Sequence, residues 1–113
     1  MEMSQKTKED IERLQLLEQQ LSAFLNQKQV FQNQLVELEN ALLEIEANSG
    51  NVYKIVGSIM VLTNKEKLRE ELKGKKEISE LRIKNLEKQE KRIEEEAKGL
   101  QESVLKEIKN KEE

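Results

Sequence analysis

Apolar residues in the first half of the chain recur at alternating spacings of three and four. The series consists of Leu14, Leu17, Leu21, Phe24, Phe31, Leu35, Leu38, Leu42 and Ile45, with Lys28 as its one polar member. This spacing places the side chains on one seam of an α-helix that packs against another helix. The pattern predicts a first helix from about residue 7 to about residue 48, where Gly50 is expected to end it in a left-handed conformation.

The second half carries a similar seam. It consists of Ile83, Leu86, Ile93, Ala97, Leu100 and Val104, with Glu90 as the polar member. Ahead of it, Leu68, Leu72, Ile78 and Leu81 do not hold the register, which predicts a stutter near Lys75 to Ser79. Thr63 and Glu66 have the spacing of a capping box. A second helix is therefore predicted from about residue 64 to about residue 110.

The short connection between the helices predicts that they fold back as an antiparallel pair. Residues whose numbers sum to about 114 are then expected to face each other across the seam, as Leu21 and Ile93 would.

The connection is the most apolar part of the chain. Eight of the eleven residues from Val52 to Leu62 are apolar, and many are β-branched or aromatic. Gly57-Ser58 suits a two-residue turn, because glycine accepts positive φ at the first central position. A β-hairpin over residues 51–62 is predicted, with Val56 paired to Ile59.

This hairpin would be apolar on both faces and would have two unpaired edges, which makes it marginal in water by itself. Hairpins from several subunits could pair edge to edge and close a sheet or barrel. The alternative is that the hairpin folds onto the base of its own coiled coil, which would leave its edges free. Multimerisation accounts for more of the pattern.

Composition agrees with long helices rather than a filled globular core. The chain has 113 residues, with 38% charged, 35% hydrophobic and 3% aromatic residues, no proline and a net charge of −3. Disorder is the competing interpretation, but the sustained heptad pattern opposes it. Nucleic-acid binding is disfavoured because basic residues are interleaved with glutamates and stacking aromatic residues are scarce.

The sequence gives little support for an enzyme, a metal-binding protein or a membrane protein. The chain has no cysteine and no histidine, which removes thiolate nucleophiles, imidazole bases and the usual zinc sites. A solvated run of carboxylates, Glu94 to Glu96, could hold a hard cation only weakly without an enclosing pocket. No secretory signal or membrane span is recognisable, so we expect a cytoplasmic protein that is not an enzyme and needs no cofactor.

The sequence resembles a prefoldin beta-class subunit of the archaeal type, with a eukaryotic paralogue left open. The hairpin sequence VYKIVGSIMV, residues 52–61, is similar to the V-Y-K-x-x-G-x-I-x-V hairpin of that family, and KEKLREEL, residues 65–72, resembles the start of its second helix. The fourteen or so residues from Ser49 to Leu62 have room for one hairpin, whereas alpha-class subunits carry two.

The resemblance implies that residues 1–113 form one prefoldin-like domain. Its fold would be mainly α, an antiparallel two-helix coiled-coil hairpin with a β-hairpin at the connection, and the β-hairpins would assemble into an intersubunit β-barrel. The partners implied are a prefoldin alpha-class subunit, further copies of this chain, non-native polypeptides and a group II chaperonin. The heterohexamer would hold clients at its coil tips, without nucleotide, and pass them to the chaperonin.

Two sets of residues are predicted to carry this function. The oligomerisation set is Val52, Tyr53, Ile55, Val56, Ile59, Met60, Val61 and Leu62. The client-binding set consists of apolar residues near the helix ends, where fraying is expected to make them accessible: Ile11, Leu14, Leu100, Val104, Leu105 and Ile108. The alternative functions are a structural coiled coil without client activity and, more remotely, an enzyme or metal-binding helical protein.

Overall fold

A computed structural model of the chain describes residues 3–112. It contains a helix, two strands and a helix in that order: α1 (Gln5–Ala47), β1 (Val52–Val56), β2 (Ile59–Thr63) and α2 (Lys65–Glu112). The predicted fold class, two long helices with a short antiparallel β-hairpin between them, is confirmed. The predicted domain, residues 1–113, also includes Met1, Glu2 and Glu113, which lie outside the described residues.

The chain divides into two compact units. The terminal unit comprises the described residues of Met1–Gln27 and Asn85–Glu113, and the hairpin unit comprises Lys28–Lys84. Each unit contains part of α1 and part of α2.

In the terminal unit, the beginning of α1 lies beside the end of α2. The Ser4 hydroxyl oxygen accepts a hydrogen bond from the Thr7 backbone N–H at 3.1 Å and donates to Oε1 of Glu107. Farther along, Arg13 Nε lies 3.1 Å from Glu96 Oε1. These contacts join residues 83 and 103 positions apart, so the helices run antiparallel here. Ser4 caps α1, which therefore starts slightly earlier than predicted.

The terminal unit has a small buried core on the predicted seam. Leu17 is fully buried, and Leu86 and Val104 are each 8% exposed. Thr7 is also fully buried beside the Ser4 cap. Heptad positions thus supply the core, as expected for helices that pack along a 3.5-residue repeat.

In the hairpin unit, contacts between α1 and α2 again run antiparallel. Arg69 donates to Glu46, and the Arg82 guanidinium lies over the ring of Phe31, 5.3 Å from its centroid. Ile45, the last apolar residue of the predicted first seam, is 7% exposed.

The predicted stutter in α2 is wrong. Buried or half-buried positions continue at spacings of three and four through Arg69, Leu72, Lys76, Ser79 and Ile83. The register is unbroken because the seam continues through polar residues, which a search for apolar spacing passes over. Of the residues that suggested the stutter, Leu72 lies on this continuous seam, whereas Ile78 and Leu81 lie on the exposed side and are 52% and 58% exposed.

Two predicted helix-end signals also need correction. Thr63 belongs to β2, and Asn64 caps α2 instead, because its Oδ1 accepts from the backbone N–H of Glu66 at 2.8 Å and of Lys67 at 3.4 Å. Gly50 does not adopt positive φ; within residues 3–112, Gly57 alone does so among glycines. The Asn48 side chain makes the turn after α1, since its Oδ1 accepts from the Gly50 N–H at 2.9 Å.

Candidate subunit-assembly and client-binding surfaces

The hairpin has the register that the sequence predicts. Val56 pairs with Ile59, and the antiparallel ladder continues to Val52 opposite Thr63. Gly57 lies at the first turn position with a φ of 62°, as a type II′ turn requires. Alternation along the strands therefore places two sets of side chains on opposite faces. One face carries Val52, Lys54, Val56, Ile59, Val61 and Thr63, and the other carries Tyr53, Ile55, Met60 and Leu62.

Apolar side chains on both hairpin faces are exposed. Those with the largest exposed fractions are Ile55 at 73% and Met60 at 67%. The remaining exposed members of the predicted oligomerisation set are Tyr53, Val56, Ile59, Val61 and Leu62. The hairpin is also a sheet of two strands within the described chain, so each strand has one edge without a partner strand. Such an apolar ribbon with free edges is a surface suited to pairing with other strands.

Val52 differs from the rest of the predicted oligomerisation set. Its side chain is only 8% exposed, so it offers little surface to a partner subunit, and its role in oligomerisation stays a prediction. Val52 lines an open groove with Ile45 and Leu68, at the base of the hairpin where α1 ends and α2 begins. The first residue of β1 thus lies against the helices of its own chain because the connection from α1 is short.

Lys54 joins the hairpin to α2 by an ion pair. Its Nζ lies 2.6 Å from Oε1 of Glu71, and Lys75 Nζ lies 3.5 Å from the same oxygen. The hydrogen bond from Lys54 lowers the pKa of the Glu71 carboxyl, and the nearby lysine charges act in the same direction. The carboxylate is therefore held ionised close to the middle of β1.

A second ion pair lies where α1 ends. Arg69 of α2 donates to Glu46 and also to Glu66, its neighbour one turn earlier. The hydrogen bond from Arg69 lowers the pKa of Glu46, and the same bond raises the pKa of Arg69. This pair fixes the last turn of α1 to the first turns of α2, close to the hairpin base.

The predicted client-binding residues differ in accessibility. Leu105 is 66% exposed, as expected, but Val104 is 8% exposed, so its predicted accessibility is wrong. The others are half-buried: Ile11, Leu14, Leu100 and Ile108. Val104 continues the seam, and the Ser4 cap with its bond to Glu107 holds the helix ends together there. The spacing of apolar residues does not reveal these polar contacts at the helix ends. Without them, the sequence predicts that the ends fray.

Exposed apolar residues on the helices were not predicted as surface features. In the hairpin unit they include Val36, Leu43, Ile78 and Leu81. Ile78 borders an open groove of about 580 Å³ together with Leu38 and Ala41. The signal that could have found Ile78 and Leu81 was present, since both residues fell outside the heptad register.

Over the described residues, no cluster of acidic side chains, histidine or cysteine is arranged to hold a metal ion. No helix in the same range combines the length and apolar character needed to cross a membrane.

Comparison with known proteins shows extensive similarity to one family. A family profile described as Prefoldin subunit matches residues 8–111. Prefoldin subunit beta of Pyrococcus abyssi is 43% identical over 93 residues, which covers 80% of each chain. The corresponding protein of Thermococcus onnurineus is 44% identical over 89 residues and 77% of each chain.

A solved structure has the same fold. The crystal structure of the prefoldin beta subunit from Thermococcus strain KS-1 matches with a TM-score of 0.85 and 37% sequence identity. The match covers 91% of this chain and 92% of that one, so it includes the helices and the hairpin.

Proposed function

The chain belongs to the prefoldin subunit family, and we propose that it is a beta-class subunit of a nucleotide-independent holding chaperone. In this proposal it assembles with alpha-class subunits and further copies of itself into a hexamer. The complex captures non-native polypeptides and passes them to a group II chaperonin in the cytoplasm. The chain itself carries out no catalysis.

The exposed hairpin is the observation that carries this proposal. Seven apolar side chains on its two faces are exposed. Full burial of one large apolar side chain contributes roughly 1.5–3 kcal/mol, so covering these partly exposed side chains would contribute part of that amount for each. Within this chain Val52 is buried and Lys54 pairs with Glu71 of α2, whereas those seven side chains remain exposed. Pairing with hairpins of other subunits would bury both faces and satisfy the free strand edges.

Client capture is proposed for the terminal unit, on a smaller surface than the sequence predicts. Leu105 offers exposed apolar area near the end of α2, and Ile11, Leu14, Leu100 and Ile108 are partly accessible beside it. A few apolar residues in a charged surrounding can engage many sequences weakly, which suits a holding chaperone. Val104 is proposed to support this surface from the seam and not to contact clients in the closed unit.

The mass of the assembled complex tests the assembly step. The chain is mixed with an alpha-class prefoldin subunit, and native mass spectrometry measures the product. We expect one complex that contains both chains and has six subunits. Persistence of separate chains at concentrations of about 10 μM, well above typical dissociation constants for stable assemblies, would contradict the proposal.

A client assay separates a chaperone from a structural coiled coil. Light scattering follows the aggregation of a chemically unfolded protein with and without the assembled complex, in the absence of nucleotide. A chaperone suppresses the scattering, whereas a scaffold of the same mass leaves it unchanged. Delivery is tested afterwards by adding a group II chaperonin with ATP and measuring the recovery of folded client, which should exceed recovery with either component alone.

A further inference from the structure

Lys54 is an unexpected residue in the hairpin. It lies between Val52 and Val56 on one face of β1, and its cross-strand partner is Val61. A lysine in this apolar surrounding reduces the area that the face can bury, and the ammonium group resists desolvation. The contact that the ammonium group makes can therefore account for its position.

The contact of Lys54 lies outside the sheet. Its Nζ reaches Glu71 Oε1 of α2 at 2.6 Å, and the side chains are 39% and 35% exposed. A pair with this exposure is screened by water and adds little to the stability of the chain. The pair can still restrict the orientation of the hairpin, because it links the middle of a strand to a helix across a separation of 17 residues.

Val52 provides the other attachment on the same face. It is buried at the base of the hairpin, about 7 Å along the strand from Lys54 at ordinary strand spacing. One attachment at Val52 would leave the hairpin free to swing about its base. A second attachment at Lys54 restricts that motion, because two points on one strand define its direction relative to α2.

We propose that Lys54 is a positioning residue for subunit assembly: its ion pair with Glu71 fixes the tilt of the hairpin so that hairpins from different subunits meet in one orientation. This inference rests on the proposed function, in which the exposed hairpins pair. Strand pairing requires alignment of the hydrogen-bonding edges, and a hairpin that swings must lose that freedom when it binds. Pre-organisation by Lys54 removes this entropic cost before association.

Three variants and two controls test the role. Lys54→Met keeps an unbranched stem without the charge, and Glu71→Gln removes the charge of its partner. The swap of Lys54→Glu with Glu71→Lys restores an opposite-charge pair, although the new lysine faces Lys75. Lys67→Met and Glu70→Gln remove the same charges from exposed positions on the first turns of α2 and serve as controls.

Hairpin orientation is measured directly in the isolated chain at low concentration. The chain has no native cysteine, so spin labels attach only at the introduced Ser58→Cys and Lys73→Cys positions. We expect a narrow distance distribution in the parent and in the controls. Lys54→Met and Glu71→Gln should broaden it, and the swap should narrow it again. Unchanged distributions in both single variants would overturn the proposal.

Assembly is measured with unlabelled chains and an alpha-class subunit. Lys54→Met and Glu71→Gln should raise the dissociation constant by roughly 2- to 5-fold, which is the most that losing a partly exposed ion pair is expected to cost. Helicity should remain that of the parent, and the swap should recover most of the affinity. A broadened hairpin with parental affinity, or a swap without recovery, would show that Lys54 does not position the hairpin for assembly.

The two proposals fail in different ways. If the parent chain forms no complex with an alpha-class subunit, the proposed function fails and the positioning role fails with it. If the parent assembles and Lys54→Met assembles equally well, the positioning role alone is refuted. A parent that assembles, with the weakened single variants and the rescued swap, supports both.

Discussion

The guanidinium carbon of Arg82 lies 5.3 Å from the centroid of the Phe31 ring, so α2 contributes a cation to the face of an aromatic residue on the α1 seam. At an accessible position such an interaction contributes about 0.5–1 kcal/mol, and the arginine stem adds packing. Arg82→Ala should lower the free energy of unfolding by about this amount in urea titrations. Arg92→Ala, at an exposed position on the same helix, is the control. Because alanine is a better helix former than arginine, helix propensity cannot cause a loss, and equal effects of the two substitutions would show that the loss does not come from the contact with Phe31.

A cycle with Phe31→Leu isolates the Arg82 interaction. Leucine keeps an apolar side chain on the seam but has no ring face for the guanidinium. Arg82→Ala should therefore be less destabilising in the Phe31→Leu background than in the parent.

The ion pair between Glu46 and Arg69 should make stability depend on acid pH. The pKa of Glu46 is lowered from its ordinary value of 4.5, chiefly by the hydrogen bond from Arg69 and further by the charges of Arg69, Lys65 and Lys73. A carboxyl with a lowered pKa stabilises the folded chain above its ordinary value, and this stabilisation is lost as the pH falls through the lowered one.

Glu46→Gln removes this contribution. Its unfolding midpoint in urea should lie below that of the parent at about pH 7, and the two should converge as the pH falls below the ordinary pKa of 4.5 and through the lowered pKa of the parent carboxyl. Glu44→Gln, two residues earlier on α1, is the control. A difference between Glu46→Gln and the parent that stays constant across this range would refute the assigned cause.

Ser79 is a buried polar residue on the α2 seam, and an apolar residue could take its place. It is 5% exposed, and the adjacent groove is lined in part by Leu38, Ala41 and Ile78. Ser79→Leu should raise the free energy of unfolding by about 1–2 kcal/mol, since leucine buries apolar area and is the better helix former. Ser103→Leu makes the same change at an exposed position of α2 and should give only the smaller propensity effect. A thermal midpoint lower than that of the parent would mean that the seam is too tight for leucine.

Ile55 tests the hairpin surface most directly, because it is the most exposed apolar residue of the hairpin. Ile55→Asp should leave the helicity of the isolated chain intact and block assembly with an alpha-class subunit, since a buried, unpaired carboxylate costs several kcal/mol. Val61→Asp, on the opposite face, should behave in the same way. Ile78→Asp provides a matched control outside the hairpin, and native mass spectrometry should still detect its complex. Assembly of Ile55→Asp at parental affinity would exclude burial of that face.

Leu105 and Val104 separate client contact from structural support. Leu105→Ser should weaken the suppression of client aggregation and lower the thermal midpoint only by the small helix-propensity effect, because its side chain is 66% exposed. Val104→Ser should lower the midpoint, since Val104 lies in the seam and is buried. Light scattering at equal complex concentration and thermal unfolding by circular dichroism make the comparison. Full protection by the Leu105→Ser complex would place client binding elsewhere on the assembly.

Local chemical rules account for the parts of the fold that the sequence predicted well. Gly57 selects a two-residue turn, and that turn alone fixes the pairing of Val56 with Ile59 and hence the side chains on each face. The heptad spacing likewise predicts the helices, because apolar residues at a 3.5-residue repeat bury one face against a partner.

Features that depend on contacts of polar side chains could not be predicted from the sequence in the same way. Lys76 and Ser79 continue the seam, although an apolar pattern cannot distinguish them from surface residues. The contacts of Lys54 with Glu71 and of Ser4 with Glu107 join residues far apart in the sequence. Selection of Asn64 over Thr63 as the cap depended on how far β2 extends, which the pairing of Thr63 with Val52 determines.

The exposed hairpin has a consequence for how the cell must produce this chain. Until a partner arrives, each newly synthesised copy displays Ile55, Met60 and other apolar side chains beside free strand edges. Those features promote the association of identical chains, so surplus copies would form aggregates or be recognised for degradation. If the chain assembles as proposed, its production therefore has to be matched to that of its partner subunits.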